Sequence, residues 1–248
     1  MERKLIMKEQ LYTIPVNDAF AEECECPVCQ MVDTLEKDAI DFVMGPSYME
    51  DDIRMQTNKV GFCSHHVKLL YKNQNRLGLA LMLHTHMQHT NRQIESLLGS
   101  VTPVKKGLFG KKQENTGLVD YLRSVEHSCY ICDRIEQIYR RYLATIYHCY
   151  QKDPEFADKF RHSKGFCTKH FADLYEAAAD NLPGKHLETF LSDLGNVYLD
   201  NMKRVTDDLE WFTDKFDHRN ADAPWKNSKD ALPRSINKVN SIPADQVK

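Results

Sequence analysis

The chain has 248 residues, eight cysteines and a formal net charge of −3. That length suits one large domain or two halves and can bury a core without help from metal, while the charge offers no basic field for nucleic acid. No stretch approaches the ~18 uninterrupted apolar residues of a membrane span, and Met1-Glu-Arg-Lys leads into no apolar export segment, so we expect a cytoplasmic protein with reduced thiols.

In chain order, Leu11 to Val16 is ambiguous and reads as a short strand or a helix. Cys26-Pro-Val-Cys29 then opens a segment in which Val32, Leu35, Ala39 and Val43 recur at i, i+3, i+7 and i+11, one face of an α-helix. A loop is expected over Gly45 to Gly61. Gly61-Phe-Cys63-Ser-His-His66 follows and starts a second helix, predicted from Ser64 to Leu98. Its centre, with Leu77, Leu79, Leu81 and Leu83, is apolar nearly all round and predicts deep burial. Residues 101–117 are Gly- and Lys-rich and read as a linker; within them Val104 to Lys112 is a basic run with one aromatic.

The pattern then repeats. Cys129-Tyr-Ile-Cys132 precedes Ile135, Ile138, Tyr142 and Ile146, each 103 residues after its counterpart. A loop over Gln151 to Gly165 leads to Gly165-Phe-Cys167-Thr-Lys-His170. Asn181-Leu-Pro-Gly184 breaks the chain. A long amphipathic helix resumes with Leu187, Leu191, Leu194, Tyr198, Met202, Val205, Leu209, Phe212 and Phe216 at steps of three and four. From Asp217 the chain turns polar and Pro-rich, which predicts an extended arm anchored by Trp225. The fold class is therefore all-α: duplicated helical hairpins, each pinned by a CxxC…CxxH metal site, with a long C-terminal helix and an extended C-terminal arm. The modules are 1–100 and 118–216, the linker 101–117 and the arm 217–248.

Three thiols and an imidazole at these spacings are the donors of a closed tetrahedral zinc site. Read module by module, Cys26, Cys29, Cys63 and His66 bind one Zn2+ ion, and Cys129, Cys132, Cys167 and His170 the other. One module's CxxC completing the other's CxxH is the alternative that the sequence leaves open. Iron–sulfur ligation is the weaker alternative on ligand chemistry. Cys24 and Cys149 fall outside the motif. His84, His86 and His89 form a second cluster in which His86 and His89 share a helical face; these read as polar positions, with a third metal as the alternative. The acidic stretch Met49 to Arg54 reads as a solvated turn, or pairs Arg54 with a carboxylate near the metal.

A full four-ligand shell leaves no open position for a substrate or water. The sequence therefore points to a non-enzymatic, metal-stabilised binding or regulatory module with an unidentified protein or small-molecule partner, and apolar residues exposed on the long helix would make it a homodimer. Thiol-redox enzymology or a redox-responsive zinc switch is the second reading, because CxxC at a helix start stabilises thiolate. Nucleic-acid binding comes third, disfavoured by charge.

Ile14-Pro-Val-Asn17, Cys26-Pro-Val-Cys29, Gly45-Pro-Ser-Tyr-Met-Glu-Asp-Asp52, Thr57 to Cys63, Gln74 to Leu81, Cys129-Tyr-Ile-Cys132, Gly165-Phe-Cys167, Phe216 to Asn220, Pro224-Trp225 and Asn227 to Arg234 together resemble an uncharacterised bacterial family, typical of Firmicutes. The resemblance covers nearly the whole chain. It implies a cytosolic, cysteine-rich protein and supplies no catalytic residues.

Overall fold

A computed structural model describes residues 2–99 and 116–247 of the chain. Among these residues there are eleven α-helices and no strand. The expected linker lies mostly outside the described residues, and so does the basic run within it.

The chain divides into two compact units, 1–35 with 138–248 and 36–137. This partition differs from the expected modules, because two helices change unit along their length. Helix α2 (Pro27–Met44) starts in the first unit and ends in the second; α7 (Tyr130–Lys152) does the reverse.

The repeat survives helix by helix. Each copy has a helix before CxxC, α1 (Glu2–Ala21) or α6 (Thr116–His127), and a helix that CxxC begins, α2 or α7. The two expected loops contain helices, α3 (Asp51–Val60) and α8 (Pro154–His162). Asp51 and Asp52 sit in the first turn of α3, where negative charge meets the positive end of the helix dipole. At α8 the Asp153 carboxylate accepts from the Glu155 amide at 2.9 Å, with Pro154 in the first turn. Both segments are short, polar and rich in turn residues, so their caps are easier to read than their helices.

The single helix expected from Ser64 to Leu98 is two, α4 (Ser64–Lys72) and α5 (Arg76–Gly99). The break between them is built by Asn75. Its side-chain oxygen accepts from the Gly78 amide at 2.9 Å, and its amide donates to the Met44 carbonyl at 2.8 Å. The second copy breaks at the expected place, between α9 (Thr168–Asn181) and α10 (Gly184–Asp214). The Leu11–Val16 alternative resolves as helix: Val16, Ala19 and Phe20 are buried at i, i+3 and i+4.

In the second unit, Ala39, Val43, Ile53, Leu70, Leu79, Met82 and Ile131 form one apolar cluster. The expected deep burial around Leu77 holds for Leu79 but not for Leu77, which is 66% exposed. In the first unit the core is aromatic. Phe160 lies 5.2 Å from Phe166 and 5.3 Å from Phe190, ring centre to ring centre, and Phe20 lies 4.9 Å from Phe156. On α10 the buried residues are Phe190, Leu194, Val197 and Val205, so the apolar stripe is centred one residue away from the expected one over its first turns.

The C-terminal arm is extended or turn-like only in part. Residues 231–240 form α11 (Ala231–Asn240), which packs on α9 and α10. Trp225 anchors the approach to it, with its ring 5.9 Å from Phe212 and the Lys215 ammonium 5.3 Å from its centre. Lys215 also donates to the carbonyls of Asn220, Ala221 and Ala223, so one buried cation gathers the turn after α10.

Candidate metal centres

The eight motif residues form two clusters, and the clusters cross the repeat. Cys26 and Cys29 of the first copy meet Cys167 and His170 of the second; Cys63 and His66 meet Cys129 and Cys132. Pairing within each module is therefore not what the structure shows, and the crossed alternative is. The cause lies in α2 and α7: each carries its CxxC at one end and enters the other unit before its own copy's CxxH is reached.

In the first centre His170 Nδ1 faces three sulfurs, Cys26 at 3.5 Å, Cys29 at 3.3 Å and Cys167 at 3.2 Å, and the sulfurs of Cys29 and Cys167 are 3.6 Å apart. In the second centre His66 Nδ1 stands 3.3 Å from each of Cys63, Cys129 and Cys132, and Cys63 is 3.9 Å from Cys132, sulfur to sulfur. With Zn–S of about 2.3 Å and Zn–N of about 2.0–2.1 Å, a tetrahedron places two sulfurs about 3.8 Å apart and sulfur about 3.5 Å from nitrogen. Both clusters fall close to those edges, with most sulfur–nitrogen distances slightly short and the Cys63–Cys132 distance slightly long.

Helix starts position the donors. CxxC straddles the first turn of α2 and of α7, and Cys63 and Cys167 are the N-caps of α4 and α9. Cys63 and His66, or Cys167 and His170, thus lie one turn apart on one face. The preceding glycine is required in both copies. Gly61 has φ +62° and a Cβ there would come within 2.7 Å of the His86 ring; Gly165 has φ +81° and its Cβ would lie 3.0 Å from the Val197 carbonyl oxygen. Both conditions favour glycine.

Electrostatics favour one thiolate per cluster. Hydrogen bonds from Cys26 and Cys29 hold the Cys167 thiol far below its usual range. Burial pushes Cys26 well up, and the contact with Cys167 raises Cys29 to about 12. In the second centre burial opposes ionisation of Cys129, but the hydrogen bond from His66 and the backbone amides of Cys132 and Cys63 bring it down to about 6. Burial and the Cys129 charge push Cys132 up to about 12. Ionising all three sulfurs of a cluster calls for a cation among them. Burial works against charge on His66, yet Cys129 and Glu36 lift it to about 10, so the proton on Nδ1 is one that a metal would displace.

The surroundings of the two centres differ, and the sequence carried no sign of it. His66 Nε2 donates to Glu36 Oε1 at 3.2 Å, and the same oxygen meets His65 Nε2 at 2.9 Å. His170 Nε2 is buried and has no hydrogen-bond partner among the described residues. The first centre is instead covered by the arm. The Ser241 hydroxyl donates to Cys167 Sγ at 3.1 Å, and the Cys29 thiol lies 3.8 Å from the Ser241 carbonyl oxygen. Lys238, 1% exposed, donates to the Glu25 carbonyl at 2.6 Å and to the Lys164 carbonyl, tying α11 to the residues before both ligand pairs. No spacing rule finds Glu36 or Ser241, because both act across helices.

The other candidates fall to structural roles. His86 donates through Nδ1 to the Asn58 carbonyl at 2.8 Å and packs on Gly61, so it supports the turn before Cys63. His84, His86 and His89 form no metal-ligating group among the described residues. Arg54 donates to Thr85 at 3.3 Å. Cys149 is buried, and Cys24 is half-buried with its thiol raised by burial.

The arrangement defines an all-α protein with two Cys3His clusters that could hold metal. The chain belongs to DUF6062, a family of unknown function, whose model matches residues 7–246. It matches no curated protein and no solved structure. No helix among the described residues is long and apolar enough to cross a membrane.

Proposed function

We propose that the protein is a zinc-binding, non-enzymatic helical module that presents a metal-stabilised surface for binding or regulation. The observation that carries this is the completeness of each cluster. Four donors converge on one point, and none is left over to be replaced by water or substrate. The donor set of three thiolates and one neutral imidazole suits zinc, and the ion would stitch helix starts that are far apart in sequence. In zinc-finger peptides such a site contributes about 10 kcal/mol or more to folding.

A dithiol-exchange enzyme is a poorer fit, since each CxxC sulfur sits in a four-donor set that would hold it as a metal ligand. The test is metal content and visible absorption of protein purified without air, wild type beside double variants. Two colourless equivalents of zinc are expected. Cys26→Ala with Cys167→Ala should lose one equivalent, because both residues serve the same centre, whereas Cys26→Ala with Cys63→Ala should lose two. Brown protein containing iron and sulfide would overturn zinc. Protein with no metal would overturn the reading and move thiol chemistry to the front.

A further inference from the structure

The two centres share donors but not exposure. All four ligands of the first are buried, with Cys26 at 2%, Cys29 at 5%, Cys167 at 0% and His170 at 2%. A cleft beside it is lined by Cys26 and Cys29 themselves, with Cys24, Glu25, Lys164 and Arg234, but no more of either ligand than that is open to solvent. The arm adds a second barrier, since Ser241 donates to Cys167 and Lys238 clamps the flanking carbonyls. In the second centre Cys129 and His66 are buried, but Cys132 is exposed and Cys63 half-buried. These two outer sulfurs are neighbours at 3.9 Å. Each also lies at a helix start, Cys63 as the N-cap of α4 and Cys132 in the first turn of α7.

We propose that Cys132 and Cys63 are an oxidation site for small hydroperoxides, and that their oxidation selectively discharges the second centre. This rests on the reading of both clusters as metal centres. The Cys132 thiolate attacks one peroxide oxygen, the O–O bond breaks, and Cys132 becomes a sulfenic acid while hydroxide leaves. The Cys63 thiolate then attacks the Cys132 sulfur and expels a second hydroxide. In sum two thiolates and one hydrogen peroxide give one disulfide and two hydroxides. The sulfur pair loses two electrons and the peroxide gains them. A disulfide sulfur is a poor ligand, so Cys129 and His66 alone remain, and the dication dissociates. The first centre, closed to the oxidant, keeps its ion. The sulfurs must close from 3.9 Å to about 2.05 Å, a movement that departure of the ion permits.

What changes with the ion is the linkage at a defined junction. The second centre holds the segment after α3 against the start of α7, where Tyr130 N donates to the Gly61 carbonyl at 3.0 Å and Ser128 Oγ to the Val60 carbonyl at 2.6 Å. Oxidation would replace the four-donor clamp by a single covalent Cys63–Cys132 link and leave Cys129 and His66 without an ion, beside those two hydrogen bonds and the apolar packing of Ile131.

The experiment uses the full chain carrying Cys24→Ser and Cys149→Ser, so that thiols outside the centres take no part. Metal is quantified first; then hydrogen peroxide is added with a chromogenic zinc chelator, and disulfides are mapped by differential alkylation and mass spectrometry. We expect one equivalent released at least about tenfold faster than the other, a Cys63–Cys132 disulfide, and recovery after reductant and zinc. Both equivalents leaving together, the first centre emptying first, neither leaving, or a disulfide elsewhere would overturn the proposal while leaving the centres intact as an idea. Fewer than two equivalents before peroxide would overturn the reading of the centres themselves.

Discussion

At the scale of single residues, the donors are only half of each centre. Metal-bound imidazoles ordinarily give their second N–H to a carboxylate or carbonyl, which fixes the tautomer and raises ligand basicity. Glu36 does this for His66, and the His66 and His65 hydrogen bonds hold its carboxyl below the usual carboxylate range despite burial. Glu36→Gln should therefore weaken zinc at the second centre about 10- to 100-fold and leave the first unchanged, as read by chelator competition. The glycines make a separate prediction. Alanine at Gly165 must adopt a strained φ and press on a backbone oxygen, which cannot turn aside; at Gly61 the obstacle is a side chain. Gly165→Ala should cost about 1–3 kcal/mol in denaturant unfolding, and Gly61→Ala less. The donors and these glycines were legible in the sequence because GFCxxH occurs twice. Glu36 was not, since its partner lies thirty residues away on another helix.

At the scale of helices, amphipathic period carried the reading where a helix is long and one-sided, as in α2, α7 and α10. It failed where polar contacts shape the chain. Asn75 ends one helix and starts another using two side-chain hydrogen bonds, and nothing in the apolar spacing records them. Residues 51–60 and 154–162 looked like loops because short helices rich in charge show turn chemistry first. Helix α11 was hidden for a related reason: its buried face includes Arg234, Asn237 and Lys238, polar residues of which Arg234 and Lys238 reach partners on other elements. Arg234, for instance, pairs with Asp208 at 2.9 Å and donates to the Asn227 carbonyl. Removing residues 231–248 should uncover the first centre alone. We expect its zinc to become rapidly accessible to a chelator while the second centre keeps its rate, a pattern that stopped-flow metal transfer resolves.

For the whole molecule, the duplication was plain in the sequence, but which halves of the motif meet was not. The two copies repeat the same motif at nearly the same internal spacing, so only the paths of α2 and α7 decide the pairing. Neither stretch 1–99 nor 116–248 contains a complete crossed set. Each fragment expressed alone should therefore be poorly helical as a monomer. Mixed with zinc, the two should recover two equivalents and native helicity, which circular dichroism and metal analysis would report. Fragments that each bind one zinc as stable monomers would contradict the crossed arrangement.

The crossing also constrains ancestry. A single-copy forerunner obeying the same pairing could satisfy neither its CxxC nor its CxxH within one polypeptide. It would have to exist as a pair of identical chains sharing two equivalent centres, each chain lending thiols to one and a thiol with imidazole to the other. Fusion of two such copies would convert an obligate partnership into a tether. Only in the fused chain would the two centres be free to differ, as they do here, one under a C-terminal cover and the other with a carboxylate beside its histidine.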